Sequence, residues 1–344
     1  MEIKAAIHSV MQGRDLTRDE MIAVMRDIMG GETTDAQNAA FLVGLQMKGV
    51  KADEVLGGAT VMRELATPVR VSDHTHLVDT CGTGGSGSST FNVSTASAFA
   101  AAAAGARVAK HGNRAATSKS GSADVLEAAG VRLDLSAEQV GQAIDEIGVG
   151  FMFAPAHHSA MKHVIAARRE IGVRTVFNLL GPLTNPAGAP HQIMGVYDAS
   201  WIDIILEVLR ELGSQHVLVV AADDGLDEIS LSANTLVGEL KDGKISHYSV
   251  RPEDFDIASR DDYSMLQIDD AESSLAMLKQ ALSYEHQAAG DIVALNAGAA
   301  IYAANVTDTL AKGVVAAQEV LSNGAALAKL EALLAFSGKA AVSS

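Results

Sequence analysis

The sequence predicts an α/β protein with a small all-helical domain over residues 1–70. A larger α/β domain with a mainly parallel central sheet follows over 71–344. Three observations carry this. Residues 1 to 68 show only helical periodicity. From residue 77, short apolar runs alternate with amphipathic segments, the pattern of a parallel sheet covered on both faces. No repeat and no low-complexity linker separates the two parts, so they are expected to pack together. A length of 344 residues agrees with two domains at about 150 residues each.

The elements follow in order. Thr17-Arg18-Asp19-Glu20 and Thr34-Asp35-Ala36-Gln37 have capping-box spacing before apolar helical patterns. Ile22, Met25, Ile28 and Met29 recur at helical spacing, as do Phe41, Leu42 and Leu45, and Val55, Leu56, Ala59 and Met62. Thr67-Pro68 ends the last of these helices. Seven of the twelve methionines lie in this segment, either filling a core or forming a dimer face. Leu77-Val78-Asp79 reads as a strand, followed by a glycine-rich turn and a helix from Ser94 to Gly105. Val108-Ala109 is the next strand. A helix from Ser122 stops at Gly130, and Ser136 caps another. Val149–Ala154 is a strand, and Ser159–Ile171 a single amphipathic helix rich in Lys, His and Arg. Ile193–Tyr197 and His216–Ala221 are buried strands flanking a helix over Trp201–Leu212. Leu236–Leu240 and Ile245–Tyr248, joined across Asp242-Gly243, form an antiparallel edge hairpin. The tail from about 270 is helical and alanine-rich.

Composition excludes several classes. Hydrophobic residues at 48% rule out a disordered chain. A net charge of −16 opposes a protein that coats nucleic acid or sits on an anionic membrane. The longest small-apolar stretch, Ala98 to Ala106, is too short to span a bilayer. The single cysteine, Cys81, excludes an internal disulfide and fits a reducing compartment. The start lacks a basic segment followed by an apolar run, so no signal peptide is expected and a cytoplasmic location is.

The charge is unevenly spread. Four glycines in the six residues Gly82 to Gly87 let backbone N–H groups converge on an anion, and the next helix adds its N-terminal dipole. No Gly-Lys-Ser/Thr closes this turn, so it is not a Walker loop, and no acidic residue follows at the dinucleotide spacing. Arg107, Lys110, Arg114 and Lys119 give +4 across residues 81–122, without one acidic residue. Lys110 to Arg114 is read as a loop after its strand, at the carboxyl edge where α/β sheets bind ligands. A second basic patch, +3 over 151–192, holds Lys162, Arg168, Arg169 and Arg174. There Arg168 or Arg169 could grip a carboxylate, or form surface ion pairs. The histidines lack zinc spacing. Asp223-Asp224-Gly225-Leu226-Asp227-Glu228 follows a buried strand, either as an exposed acidic turn or as oxygen ligands for Mg²⁺.

A phosphate cradle, basic clamps, an acidic pair and a carboxylate-reading Arg imply a diphosphate leaving group and an acidic acceptor. At this point the chain resembles the anthranilate phosphoribosyltransferase family over essentially its whole length. The motifs are Gly82-Thr83-Gly84-Gly85, Asn92 to Ala98, Lys110-His111-Gly112-Asn113-Arg114, Ser120-Gly121-Ser122, Phe177 to Pro186 and Asp227-Glu228. The resemblance implies a fold similar to class II nucleoside phosphorylases. It also implies that helices from about 159–182 join the small domain in space, and that a homodimer forms through the helical domain. The implied activity is transfer of the phosphoribosyl group of phosphoribosyl pyrophosphate (PRPP) to the amine of anthranilate, with Mg²⁺, two ions per site. PRPP would be bound by Gly82, Gly85, Ser86, Thr90, Asn92, Val93, Ser94, Thr95, Lys110, His111, Gly112, Asn113, Arg114, Ala115, Ala116, Thr117, Ser118 and Ser122. Anthranilate would meet Gly82, Asn113 and Arg168, with His111, His158 and Pro182 lining its path. Ser94, Asp227 and Glu228 would hold the metal. One departure is Ser86, where the family commonly has Asp; a hydroxyl brings no charge to a Mg²⁺ shell. No acid/base residue is expected, since an aryl amine carries its lone pair at neutral pH. Two alternatives are a pyrimidine nucleoside phosphorylase, which shares the fold, and a non-catalytic nucleic-acid-binding paralogue, which the charge and the intact Asp227-Glu228 oppose.

Overall fold

The computed structural model describes residues 1–84, 87–115 and 118–340. The chain opens with four helices, Ile3–Met11, Arg18–Gly30, Asp35–Lys48 and Ala52–Leu65. Both expected capping boxes form. Thr17 Oγ1 accepts from the Glu20 N–H at 3.3 Å, and the Glu20 carboxylate accepts from the Thr17 N–H at 3.0 Å. Thr34 and Gln37 repeat the exchange. Met21, Met25, Met29 and Met62 fill the core between these helices, while Met11 and Met47 are exposed. An ion pair is buried here. Glu54 accepts from Lys48 Nζ at 3.0 Å and from the Leu16 and Lys51 N–H groups at 2.9 and 2.8 Å.

The expected single helix over Ser159–Ile171 does not form. It is a 3₁₀ turn at Ser159–His163 followed by a helix at Ile165–Ile171. The break falls at Val164, with φ −128° and ψ −12°. Asn38 from the helical bundle donates to the His163 carbonyl at 3.2 Å, taking an acceptor that a continuous helix would use itself. Val164 is fully buried there, and Val176, Phe177, Leu180 and Leu183 join the same apolar core as the first four helices.

Among the described residues seven strands form one sheet: β1 Leu77–Gly82, β2 Arg107–Gly112, β3 Val149–Phe153, β4 His191–Gly195, β5 His216–Ala222, β6 Thr235–Lys241 and β7 Lys244–Val250. Their order is β3-β2-β1-β4-β5-β6-β7. The first five run parallel and the β6–β7 hairpin is antiparallel at the edge. Alternation decides the two faces. Leu218, Val220 and Ala222 of β5 face the alanine-rich helices Val93–Ala103 and Gln287–Ala303. Val217, Val219 and Ala221 face the helical bundle and the helix Ile202–Glu211. Among the described residues, no single helix is long and apolar enough to cross a membrane.

Strand β2 is longer than expected. Lys110 and His111 lie inside it and are buried, so this part of the basic segment is strand and not loop. Arg107 begins β2, at the edge opposite the strand's carboxyl end, and pairs with Asp73 and Asp145 at 3.2 Å each. It is therefore no part of a carboxyl-edge anion site.

Candidate active site

Chain order reverses at β1. The chain runs outward through β2 and β3, then returns to place β4 on the other flank. In parallel sheets the crevice at the carboxyl ends of such a pair is where ligands bind. Here β1 and β4 end on two facing glycines, Gly82 and Gly195. The acidic turn after β5 closes over them. A Cβ on Gly195 would lie 1.6 Å from the Asp227 carbonyl oxygen, and one on Gly82 would lie 2.9 Å from Asp227 Oδ2. The Thr83 N–H donates to the Gly195 carbonyl at 2.9 Å, which fixes the start of the glycine turn on β4.

The neighbouring charges face one another. Lys110 is buried and donates to the Thr80 carbonyl at 2.6 Å and to Ser94 Oγ at 3.3 Å. Burial pulls its pKa down, and Asp79, Cys81 and Glu228 oppose that. Burial pushes the Glu228 carboxyl up to about 8, the charge of Asp227 adds to this, and Lys110 and the Ser94 N–H offset it. Two adjacent carboxylates that repel each other, beside a hydroxyl, suit a hard cation held by few protein oxygens, with waters and phosphates completing the shell. Among the described residues no group of three His, Cys, Asp or Glu could hold a metal by itself. Asp223 and Asp224 are committed elsewhere. Asp224 accepts from the Leu226 N–H and Ser230 Oγ, and Asp223 accepts from Asn234.

The segments around this pair are braced by their own side chains. Asn92 precedes the helix Val93–Ala103, so the Val93 and Ser94 positions stand on its first turn. Its Oδ1 accepts from Ser120 Oγ at 2.9 Å and Ser274 Oγ at 2.7 Å, and its Nδ2 donates to the Ser120 carbonyl. Asn92 thus ties the helix start to the loop before Ser122. The Thr95 hydroxyl is fully buried and has no hydrogen-bond partner among the described residues. Thr90 forms a bridge with Gln267, and its hydroxyl lies 3.2 Å from that of Ser88. The Ala115 and Gly121 N–H groups both donate to Asp124, which pins the ends of their loop. Ser118 and Ser122 hold this loop through the Ser120 and Asn113 carbonyls, and Ser122 Oγ packs close on Gly112. Arg114 is engaged at the surface, bidentate to Glu127 at 2.6 and 2.9 Å. Gly85, Ser86, Ala116 and Thr117 lie outside the described residues.

A second group lines the side of the helical bundle. The rings of His111 and His158 approach to 5.2 Å between centroids. Burial, with the neighbouring histidines, holds His111 down to about 3 and His158 down to about 4. Both are neutral, and the Nε2 atom of each is buried without a partner. Arg168, from the helix Ile165–Ile171, lies 5.2 Å from the Phe177 ring centroid, and desolvation lowers its pKa. The Pro182 carbonyl accepts from Gln192 at 2.7 Å, and the same amide reaches Cys81 Sγ at 3.0 Å. Asp79, Asp124, Asn185 and Gln192 were not singled out from sequence. Asp79, Asn185 and Gln192 act on groups remote in the chain, Asp124 acts within its own loop, and only Asn185 sits in a motif.

Comparison with known proteins decides the family. Residues 74–327 match the glycosyl transferase family, a/b domain, and residues 4–66 its helical bundle domain. The anthranilate phosphoribosyltransferase of Alkalilimnicola ehrlichii is 59% identical over 97% of this chain and 98% of its own. That of Hahella chejuensis is 58% identical over 98% of each. This chain belongs to the anthranilate phosphoribosyltransferase family. The crystal structure of the Thermus thermophilus family member superposes with a TM-score of 0.91 at 43% identity, covering 97% of this chain and 99% of that one. The Saccharomyces cerevisiae family member, in complex with PRPP and Mg, shares the fold at a TM-score of 0.89 and 23% identity, covering 98% of each.

Proposed function

We propose that this enzyme transfers the 5-phosphoribosyl group of PRPP to the amine of anthranilate, releasing pyrophosphate, with Mg²⁺. The observation that carries the reading is the crevice at the β1–β4 switch point. There a glycine turn and a helix start face a buried Lys110 and the Asp227–Glu228 pair. The donor's diphosphate would lie against the Gly82–Gly85 turn, Ser86, Thr90, the Asn92–Thr95 helix start and the Lys110–Ser118 and Ser122 segment. Asn92 and Thr95 would contribute through backbone groups, since their side chains are engaged or buried. Ser94, Asp227 and Glu228 would hold Mg²⁺, two ions with PRPP bound. The metal supplies charge neutralisation on the departing diphosphate.

The chain's own groups do the rest. Lys110 and the helix N-terminus stabilise charge that grows as the C1–oxygen bond breaks, and they are placed before the reaction starts. Arg168 would pair with the anthranilate carboxylate, with Gly82 and Asn113 beside it. His111, His158 and Pro182 would line the approach, the neutral imidazoles adding no charge. The amine attacks C1 opposite the leaving group, its proton passes to water or to the released pyrophosphate, and positioning drives the step without a side-chain base.

A homodimer through the helical bundle fits the exposed Met11, Met47 and Ile165 there, at 75%, 84% and 50% exposure. Cytoplasmic residence fits the lone cysteine. The test is loss of anthranilate fluorescence on adding PRPP and Mg²⁺ to the protein. A protein inert to both substrates together overturns the reading.

A further inference from the structure

The ladder between β1 and β2 stops early. It pairs Leu77 with Arg107 and Val78 with Val108 and goes no further, although both strands run on for four residues. On their outer flanks both stay paired to the end, β1 with β4 as far as Gly82 and β2 with β3 as far as Gly112. Buried backbone groups must find partners. The Arg107 N–H donates to the His76 carbonyl. Continued in that register, the Thr80 N–H would reach the Ala109 carbonyl, and the His111 N–H the Thr80 carbonyl.

Side chains take these groups instead. Asn185 Nδ2 donates to the Ala109 carbonyl at 2.8 Å, and Lys110 Nζ donates to the Thr80 carbonyl at 2.6 Å. The His111 N–H donates to Asp79 Oδ1 at 3.3 Å. The substitution is costly. Asp79 and Lys110 are both buried, and Asp79 Oδ2 has no hydrogen-bond partner among the described residues. Plain ladder rungs would avoid burying charge at all. Local conflicts of this kind concentrate where a fold serves a site. This one lies directly beneath the two turns that leave β1 and β2 at the crevice.

We infer that Asp79 and Asn185 are positioning residues that hold the carboxyl halves of β1 and β2 apart. They thereby set the spacing between the turn that follows Gly82 and the turn that follows Gly112, and aim Lys110 at Ser94. The inference rests on the donor site proposed above. Neither residue touches the donor, so both act through the backbone they hold.

The test is Asn185→Ala. It leaves the Ala109 carbonyl with only the Thr80 N–H to accept from, which favours closure of the gap. PRPP binding with Mg²⁺ is measured by titration calorimetry, with both KM values and a thermal melt alongside. The expected result is a PRPP Kd and KM raised about tenfold. The anthranilate KM rises less than that of PRPP, because Arg168, His158 and Pro182 keep their places while Gly82, His111 and Asn113 are shared with the donor side. Asp79→Asn, of the same shape, gives the same split and serves if Asn185→Ala does not fold. Wild-type PRPP affinity in a folded variant overturns the assignment, as does equal loss for both substrates. A wild-type protein that binds no PRPP overturns the donor reading, and this assignment with it.

Discussion

Gly195→Ala is the sharpest perturbation of the crevice. Gly195 has no need of glycine for its own backbone angles; its neighbour makes the demand. An alanine Cβ would lie 1.6 Å from the Asp227 carbonyl oxygen and 2.5 Å from its carbon, where contacts under 3.0 Å essentially never occur. The turn must retreat by about 1.4 Å. Strand β4 cannot yield in its place, because β1 and β5 hold it on both flanks. Asp227 and Glu228 therefore move. A misplacement of about 1 Å costs roughly 100-fold in rate, or about 2.7 kcal/mol. Overpacking costs a further 1–3 kcal/mol or so of folding stability, which leaves the protein folded. The assay is initial rate against Mg²⁺ concentration at saturating substrates, with a thermal melt. We expect kcat to fall about 100-fold and the Mg²⁺ half-saturation to rise about tenfold. Gly338→Ala, where a Cβ meets nothing within 4 Å, is the control. A folded Gly195→Ala enzyme with a wild-type Mg²⁺ curve would refute the placement of the acidic pair.

Arg168→Ala should raise the anthranilate KM by at least about tenfold, the worth of a charge-assisted hydrogen bond, with little change for PRPP. A rise confined to the PRPP KM would move Arg168 to the donor side. Glu54→Gln should cost about 1–3 kcal/mol in urea unfolding, because it removes the buried one of the two carboxylates that pair with Lys48, leaving only the half-exposed Asp15 at 2.6 Å. Lys48→Met combined with it should recover part of that loss, and an additive double variant would contradict the coupling. The pH dependence follows from His111 and His158. Unfolding returns both to the ordinary value of 6.5, while the native state keeps them neutral down to about 3 and about 4. Between those limits the unfolded chain binds more protons, so their contribution is complete above pH 6.5 and is lost as pH falls. Each proton contributes about 1.4 kcal/mol per pH unit, and His158→Gln should flatten the slope between pH 4 and 6. An unchanged slope would mean that the imidazoles are already charged.

The fold was legible because periodicity is local. The capping boxes, the switch from helical to strand patterning at Leu77 and the edge hairpin each need only neighbouring residues to be read. The turns that meet at the β1–β4 crevice were legible in part for the same reason, since glycine and acid clusters mark turns. What failed depended on remote partners. The break at Val164 follows from Asn38 reaching the His163 carbonyl, which no pattern around Val164 reveals. Arg107 looked like part of the basic island until Asp73 and Asp145 claimed it at the far end of β2. Arg114 likewise spends its guanidinium on Glu127. The net charge excluded polyanion-coating functions, but of Arg107, Lys110 and Arg114 only Lys110 is buried, beside Ser94, and no pattern in the sequence shows that.

The central claim is tested most directly by one progress curve. Protein, anthranilate and Mg²⁺ are mixed, PRPP is added, and anthranilate fluorescence and released pyrophosphate are followed together. Our account predicts loss of anthranilate matched mole for mole by pyrophosphate, and no reaction when either PRPP or Mg²⁺ is left out. Unchanged fluorescence, with phosphate-dependent cleavage of a pyrimidine nucleoside by the same protein, would contradict it.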